Sequence, residues 1–256
     1  MSSFITLLSP AKLIDDQTHY PNIECSTPEF TDEAQQLISK LKKLKPAELA
    51  ELMDMSDSLA QETHRRFNEW HLPFSHANAH PAILMFKGEV YRGLEAQELN
   101  PKQLAFAQKH IRILSGLYGI LRPLDWAMPY RLMMGTPFAA DKKTPNLYAF
   151  WQEKITASID AELNKNGTLI NLASHEYFKC IDIKKLNRRV IQCEFKENKG
   201  GKFVTVNTYA KHARGSMARF IIDHSIKKPD DIRAFDTDGY SFNSSLSTED
   251  QFVFCR

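Results

Sequence analysis

Lysine follows three short apolar runs of the 256-residue sequence. Lys12 comes after FITLL, Lys87 after AILMF, and the pair Glu176-Tyr177, with Lys179 behind it, after TLINL. Runs of this length favour buried strands, and a lysine at a strand end presents a positive charge to a phosphate or a carboxylate. Strands of one sheet bring their polar ends to a common edge, where sites form. The sequence therefore predicts that these groups converge at one edge of a sheet.

Glu176 lies beside a tyrosine and among several cations, which leaves two roles open for its carboxylate. With Tyr177 it is a candidate acid/base pair. Alternatively, it is the ion-pair partner of Lys87 or Arg122. Glu176 and Tyr177 are the catalytic candidates that the sequence offers.

Residues 111–131, IRILSGLYGILRPLDWAMPYR, hold the densest group of signals in the chain. Gly116 and Gly119 predict a tight turn that accepts positive φ and lets another backbone approach closely. Arg122 precedes a proline, which biases it towards an extended conformation. Arg131 ends the run.

A helix that begins at Asn100 and Pro101, with a capping box to Gln103, precedes this glycine turn. Helix, glycine turn and the following segment together resemble a helix-hairpin-helix unit, in which backbone N–H groups bind a nucleic-acid phosphate. The alternative is a tight turn between core elements.

A basic helix is predicted in the run YAKHARGSMARFII. Lys211 and Arg214 share one side of it, one turn apart, which suits successive phosphates, and Arg219 follows. Residues 179–219 carry 11 Lys and Arg against 3 Asp and Glu, whereas residues 1–100 carry 9 against 15. This asymmetry indicates a side that faces a polyanion. The alternative is that the later cations pair with the acidic surface of the earlier part.

Other patterns predict the elements around these groups. Helical spacing of apolar residues predicts acidic helices between Thr31 and Trp70. Alternation in VIQCEFK and FVTVNTY predicts a hairpin, and Ser/Asn turns predict a second, edge hairpin near the end. The chain contains no long polar linker or repeat, so a single domain over residues 1–256 is expected.

Metal and cofactor chemistry is not predicted. Prolines interrupt the cluster of His71, His76 and His80, and no Cys or carboxylate stands among these histidines. The four cysteines show no CxxC spacing. Cys180 and Cys193 flank the basic run, where they are either peroxide-sensing thiols or buried inert ones. Walker, Rossmann, HExxH and nucleophile-elbow motifs are absent from the sequence.

A cytoplasmic protein with no membrane partner is expected. The N-terminus lacks the pattern of a cleaved leader, and no apolar run approaches the roughly 20 residues that span a bilayer.

Five segments occur in this order along the chain: SPAK, KGEVYRGL, LSGLYGILRPLDWAMPYRLMMG, NLASHEYFK and YAKHARGSMARFII. In them the chain resembles the peroxide stress protein YaaA family over essentially its whole length. The resemblance implies a cytosolic bacterial protein of the hydrogen-peroxide response, associated with limiting free intracellular iron and protecting DNA. It also implies an α/β domain of mixed α+β character and unusual topology, with a mixed sheet, flanking helices, a helix-hairpin-helix-like motif and a positively charged cleft for duplex and branched DNA.

Two classes of function are open. In the first, the protein binds DNA without sequence specificity, and its affinity falls steeply with salt. The residues predicted to contact DNA or phosphate are Lys12, Lys87, Arg92, Gly116, Gly119, Arg122, Arg131, Lys179, Lys211, Arg214 and Arg219.

In the second class, the protein is an enzyme acting on a nucleotide or another phosphorylated small molecule, with Glu176 or Tyr177 as acid/base. This alternative predicts a pocket too narrow for a duplex. A third interpretation, direct iron binding, has little support because the His, Cys and carboxylate residues lack ligand spacing.

Overall fold

The computed structural model describes residues 1–18, 20 and 22–256. Its strands are β1 (Ser2–Leu8), β2 (Leu13–Ile14), β3 (His80–Pro81), β4 (Phe86–Lys87), β5 (Ile111–Ser115), β6 (Gly119–Leu121), β7 (Trp126–Ala127), β8 (Leu163–Asn171), β9 (Arg189–Lys199), β10 (Lys202–Val204), β11 (Ser241–Phe242) and β12 (Gln251–Cys255). Its α-helices are α1 (Thr31–Leu41), α2 (Pro46–Met53), α3 (Asp57–Glu69), α4 (Ala82–Met85), α5 (Glu89–Leu94), α6 (Pro101–His110), α7 (Leu147–Glu162), α8 (His175–Phe178), α9 (Ile183–Leu186) and α10 (Asn207–Asp223). Short 3₁₀ turns lie at Ala96–Glu98, Pro229–Ala234 and Thr237–Gly239.

The main sheet is mixed. Its strand order is β11-β12-β9-β8-β1-β5-β6, and β10 pairs with β9. The five strands from β12 to β5 are parallel, while β6 and β11 run antiparallel at the two edges. Two further two-stranded sheets pair β2 with β4 and β3 with β7. The predicted α/β fold with a mixed sheet and flanking helices is confirmed.

The central strands read as continuous apolar runs because both of their faces are covered. Residues 4–8 of β1 are all buried, and so are residues 167–171 of β8. On one face, α6 packs on β1 and α10 packs on β9, and the two helices contact each other. The predicted cap of α6 is confirmed, since Asn100 and Gln103 form the capping box. In the described part of the chain, no helix is long and apolar enough to cross a membrane.

The run AILMF is not the strand that its composition predicts. Residues 82–85 form the short helix α4, and only Phe86 and Lys87 are extended, in β4. The N–H groups of Ala82 and Ile83 donate to the carbonyls of Asp125 and Pro123. A wholly buried run of this length has no periodicity that separates strand from helix, so the prediction failed there.

The glycine turn does not belong to a helix-hairpin-helix unit, so that part of the prediction is wrong. Gly116 and Gly119 lie in the buried turn of the antiparallel β5–β6 hairpin. A Cβ at Gly116 would lie 2.3 Å from the Leu132 carbonyl oxygen, and one at Gly119 would lie 2.6 Å from the Trp151 ring. The glycines serve packing, as in the alternative of a tight turn between core elements, because other backbone and α7 occupy the space that a phosphate would need.

Asp125 anchors the segment before α1 to the turn after β6. Its carboxylate accepts hydrogen bonds from the Ser26 hydroxyl at 2.6 Å and from the Arg122 N–H at 2.8 Å. The residue is only 3% exposed. Burial raises the pKa of Asp125 to about 6, although the hydrogen bonds oppose the shift. The folded protein therefore holds this proton at pH values where the unfolded chain has released it.

We expect Asp125→Asn to flatten part of the pH dependence of stability. Asp125 contributes stability that is fully present below about pH 4 and lost as the pH rises through about 6, because its folded pKa lies above its unfolded value. The loss corresponds to roughly 3 kcal/mol. Asparagine mimics the protonated acid, so the wild-type free energy of unfolding should fall relative to the variant between pH 4 and pH 7. Urea unfolding at several pH values measures this. The exposed control Asp231→Asn should track the wild type, and parallel curves for Asp125→Asn would refute the assignment.

Candidate functional site

A cavity of about 270 Å³ opens at the carboxyl ends of β1 and β8. The chain runs from β1 to β5 on one side and later returns to the other side of β1 as β8, so the strand order reverses there. Ligands of open α/β sheets bind at such a switch point. We call this the switch-point cavity; its lining residues are Ser9, Pro10, Ala11, Lys12, Leu13, Lys87, Gly88, Glu89, Val90, Met133, Ser174, Glu176, Tyr177, Lys211 and Arg214.

Serine hydrogen bonds join the loops that leave the two central strands. The Ser9 hydroxyl oxygen accepts from the Ser174 N–H at 2.8 Å and donates to the Ser174 hydroxyl at 3.3 Å. The Tyr91 hydroxyl donates to the Ser9 carbonyl at 3.1 Å. These bonds fix the floor of the cavity, from which the first loop continues to Lys12.

The short β2–β4 ladder brings Lys12 and Lys87 to the same cavity, with Leu13 paired opposite Lys87. The Lys87 ammonium lies 3.3 Å from an Asp15 carboxylate oxygen. Although burial opposes it, hydrogen bonds from Thr18, Gln17 and Lys87 lower the pKa of Asp15 to about 2. Lys87 is therefore the partner of Asp15, not of Glu176.

Helices α5 and α10 cross in close contact and thereby place the remaining cations. A Cβ at Gly215 would lie 1.8 Å from the Val90 carbonyl oxygen, and one at Gly93 would lie 2.3 Å from the His212 carbonyl oxygen. Only glycine permits this separation of the two helices. The crossing directs Lys211 and Arg214 of α10 to the cavity beside the start of α5.

Arg214 is held in the cavity wall with unused hydrogen-bonding capacity. Its Nε is buried and has no hydrogen-bond partner among the described residues. Burial lowers the pKa of the guanidinium, against the attraction of Cys193 and Glu194. An anion in the cavity would supply a counter-charge to this guanidinium.

Glu176, Tyr177 and Met133 form another part of the lining. One Glu176 carboxylate oxygen accepts from the Gly135 N–H at 3.0 Å. The Tyr177 hydroxyl lies 3.8 Å from the Met133 sulfur. Burial, with the nearby Tyr130 and Glu176, raises the pKa of Tyr177 well above 10. The Tyr177 hydroxyl therefore stays protonated at neutral pH and acts as a hydrogen-bond donor, while the Glu176 carboxylate accepts hydrogen bonds.

The predicted convergence at one sheet edge is confirmed for Lys12, Glu176 and Tyr177, which follow β1 and β8 and line one cavity with Lys211 and Arg214. Lys87 lines the same cavity but reaches it from the separate β2–β4 ladder, not from a strand of the main sheet. The binding or catalytic roles of these residues stay predictions. The cavity residues that the sequence patterns missed come from otherwise ordinary positions, among them Leu13, Glu89, Val90 and Met133. Only their position next to the cations could have identified these residues, because tertiary packing brings them to the cavity.

Besides Arg122, four predicted cations lie outside the lining. Arg92 pairs with Glu89 at 2.8 Å, and Arg219 pairs with Asp223 at 2.9 Å. Lys179 lies over the Tyr148 ring at 5.5 Å. Arg131 is half-buried behind the first loop, where it donates to the Lys12 carbonyl at 3.5 Å.

Arg122 is at the opposite end of the sheet, so its predicted place in the cleft is wrong. It lines a separate hollow with Arg112, Asp125 and Glu162. Since β6 runs antiparallel to β5, its last residue points away from the carboxyl edge. An ion pair between Arg122 and Glu176 is excluded for the same reason.

The two thiols that flank the basic run are buried and free. Burial raises the pKa of both Cys180 and Cys193 to about 12, which leaves little reactive thiolate at neutral pH. The structure thus favours the inert alternative over the peroxide-sensing one. Among the described residues, no group of three or more His, Cys, Asp or Glu side chains is placed to hold a metal ion.

Comparisons with known proteins give one consistent result. Residues 4–246 match the family described as "Peroxide stress protein YaaA". The chain is 44% identical over 254 residues to a UPF0246 protein of Idiomarina loihiensis, with 98% of each chain covered. It is 45% identical to one of Hahella chejuensis, covering 98% of this chain and 99% of that one, and 47% identical to one of Cupriavidus metallidurans, covering 98% of each.

We expect Gly215→Ala to destabilise the protein, although alanine normally favours a helix interior by about 0.5–1 kcal/mol. The added Cβ would collide with the Val90 carbonyl, and overpacking of this kind costs roughly 1–3 kcal/mol. For a chain of this size, the thermal midpoint should fall by roughly 2–12 °C. Lys211→Ala, an exposed change on the same helix, is the control and should stay within about 0.5 kcal/mol of wild type. An unchanged or raised midpoint for Gly215→Ala would contradict the close contact.

Proposed function

The chain belongs to the peroxide stress protein YaaA family, and from that premise we propose that it binds DNA without sequence specificity through the cations of the switch-point cavity. Family membership gives a role in the peroxide stress response. The binding of DNA goes beyond that role and is our own proposal. The proposal places the protein in the cytoplasm with DNA, and assigns any effect on free iron to an indirect route.

One observation carries the proposal. Lys12, Lys87, Lys211 and Arg214 surround one opening, and in the described part of the chain only Lys87 pairs with a carboxylate. Neighbouring cations repel one another, and the guanidinium of Arg214 has also lost hydration by burial, so an anion at this edge would be stabilising. The phosphates of a nucleic-acid backbone provide a row of such anions, and contacts to phosphate carry no sequence information.

Regular spacing on α10 supports the same proposal. Lys211 and Arg214 are three residues apart on a helix and therefore share one face. Arg214 presents a planar guanidinium, which can donate two parallel hydrogen bonds to a phosphate. Arg92 and Arg219 are paired with carboxylates, so we assign them no contact with DNA.

Equilibrium binding to a fluorescent duplex and to a four-way junction, across a salt series, tests the proposal. The logarithm of the association constant should fall linearly with the logarithm of salt concentration, by about 0.9 per phosphate contact. Lys211→Ala/Arg214→Ala should make the slope shallower by about one to two units.

Arg122→Ala is the matched control, because it removes an exposed cation from the opposite end of the sheet. Its salt slope should equal that of the wild type. Salt-insensitive binding, or an equal loss in the Arg122 variant, would show that the switch-point cavity is not where DNA binds.

The alternative is an enzyme that acts on a nucleotide or another phosphorylated small molecule, and the placement of Glu176 beside Tyr177 within a cavity favours it. Glu176 would accept a proton and Tyr177 would donate one. If this is correct, purified protein should release inorganic phosphate or another product from nucleoside phosphates, and Glu176→Gln should reduce turnover at least about 100-fold. Equal turnover by the variant would remove Glu176 from the chemistry.

A further inference from the structure

The switch-point cavity is far smaller than a nucleic-acid duplex. Its volume of about 270 Å³ lies near the lower end of the roughly 300–1,000 Å³ of small-molecule pockets. A duplex, with a major groove alone about 12 Å wide, can touch the rim of such a cavity but cannot enter it. Whatever fills the interior is therefore a single compact group.

The lining has two chemical characters that come from different elements. Lys211 and Arg214 extend from α10, and Arg214 keeps a buried Nε without a partner among the described residues. Met133 and Val90 contribute apolar surface from other segments of the chain. A ligand that satisfies both sets needs a phosphate at one end and a flat, largely apolar body at the other.

Glu176 adds a requirement that the apolar body of the ligand carry a hydrogen-bond donor. The Gly135 N–H orients its carboxylate and uses one of the acceptor positions. A carboxylate has about four such positions, so the group can still accept from an amino, imino or hydroxyl group of a ligand. An aliphatic phosphate ester would leave the apolar wall unfilled, and inorganic phosphate would leave both it and Glu176 unused.

We propose that the switch-point cavity binds one nucleotide unit, with its phosphate on Lys211 and Arg214, its ring against Met133 and Val90, and a ring or sugar donor on Glu176. The inference rests on the proposed function, since it deepens the use of the same site. The shared chemistry is that of a nucleoside monophosphate. Its source is either a free nucleotide or an unpaired nucleotide turned out of a DNA strand, whose neighbouring phosphates then lie on Lys12 and Lys87 at the rim.

Two sets of measurements on the full chain test this inference. Calorimetric titration with thymidine 5′-monophosphate, thymidine and inorganic phosphate probes the cavity alone. Binding of a fluorescent duplex, and of a duplex with a short bubble of unpaired nucleotides, by wild type and by each variant distinguishes the two sources. Thermal unfolding of each variant checks that it is folded.

Met133→Trp should fill the cavity and leave the rim cations in place. We expect wild-type protein to bind the monophosphate at least tenfold more tightly than thymidine or phosphate, and Met133→Trp to lose at least tenfold of that affinity while duplex affinity stays within twofold. Glu176→Gln keeps the side-chain volume and should weaken the monophosphate several-fold without changing phosphate binding. If Met133→Trp does not fold, Glu176→Gln alone decides the point.

The outcomes separate the two proposals. Because a duplex phosphate and the monophosphate both use Lys211 and Arg214, the nucleotide should displace both DNA probes. Tighter wild-type binding of the bubble than of the duplex, lost in Met133→Trp, identifies an unpaired nucleotide of DNA as the source, whereas equal binding of the two probes identifies a free nucleotide. No monophosphate binding at millimolar concentration, or binding that neither variant changes, overturns the nucleotide site and leaves salt-dependent duplex binding untouched. Monophosphate binding without any duplex binding overturns the proposed DNA function and keeps the cavity.

Discussion

The position of β1 in the sheet constrains everything around the site. β1 pairs in parallel with β5 on one side and with β8 on the other, so the chain must leave its carboxyl end and return beside it from opposite directions. That reversal opens a crevice that no crossover covers. The loops after β1 and β8 face each other across it, and the hydrogen bonds between Ser9 and Ser174 fix their separation. The strand order, more than any single side chain, creates the cavity.

Close helix packing then decides which charges reach the crevice. The glycine contacts between α5 and α10 bring the start of one helix and the basic face of the other to the same opening. Arg214 is partly removed from water, and burial lowers its pKa, whereas Lys12 and Lys211 stay exposed. An anion in the cavity would supply the counter-charge that this partly buried guanidinium lacks.

The two ends of the sheet use basic residues in different ways. At the amino end, Arg112 is 3% exposed, pairs with Glu162 and donates to the carbonyls of Gln108 and Ile111. Its charge and hydrogen bonds are satisfied within the protein, so it supports the fold. At the carboxyl end, Arg214 keeps a buried Nε with no partner among the described residues. The arginine at one edge is thus fully paired within the protein and the one at the other edge is not, although both edges contain arginine and glutamate.

The sequence by itself determined the local elements and indicated which polar residues would meet at the site. The apolar runs of β1 and β8, the cap of α6 and the hairpin of β9 and β10 follow from short-range patterns, because backbone geometry and capping depend on neighbouring residues. The polar residues after β1 and β8 likewise predicted where Lys12 and Glu176 would meet, whereas Lys87 reaches the same cavity through the separate β2–β4 ladder. Only the tertiary structure decided that Arg122 lies at the opposite edge, that AILMF forms α4 and that the glycine turn is buried under α7. These outcomes depend on pairing direction and on contacts between residues far apart in the chain, which no local pattern records. The same long-range packing adds Met133 and Val90 to the cavity, and therefore determines its size and the ligand that it can accept.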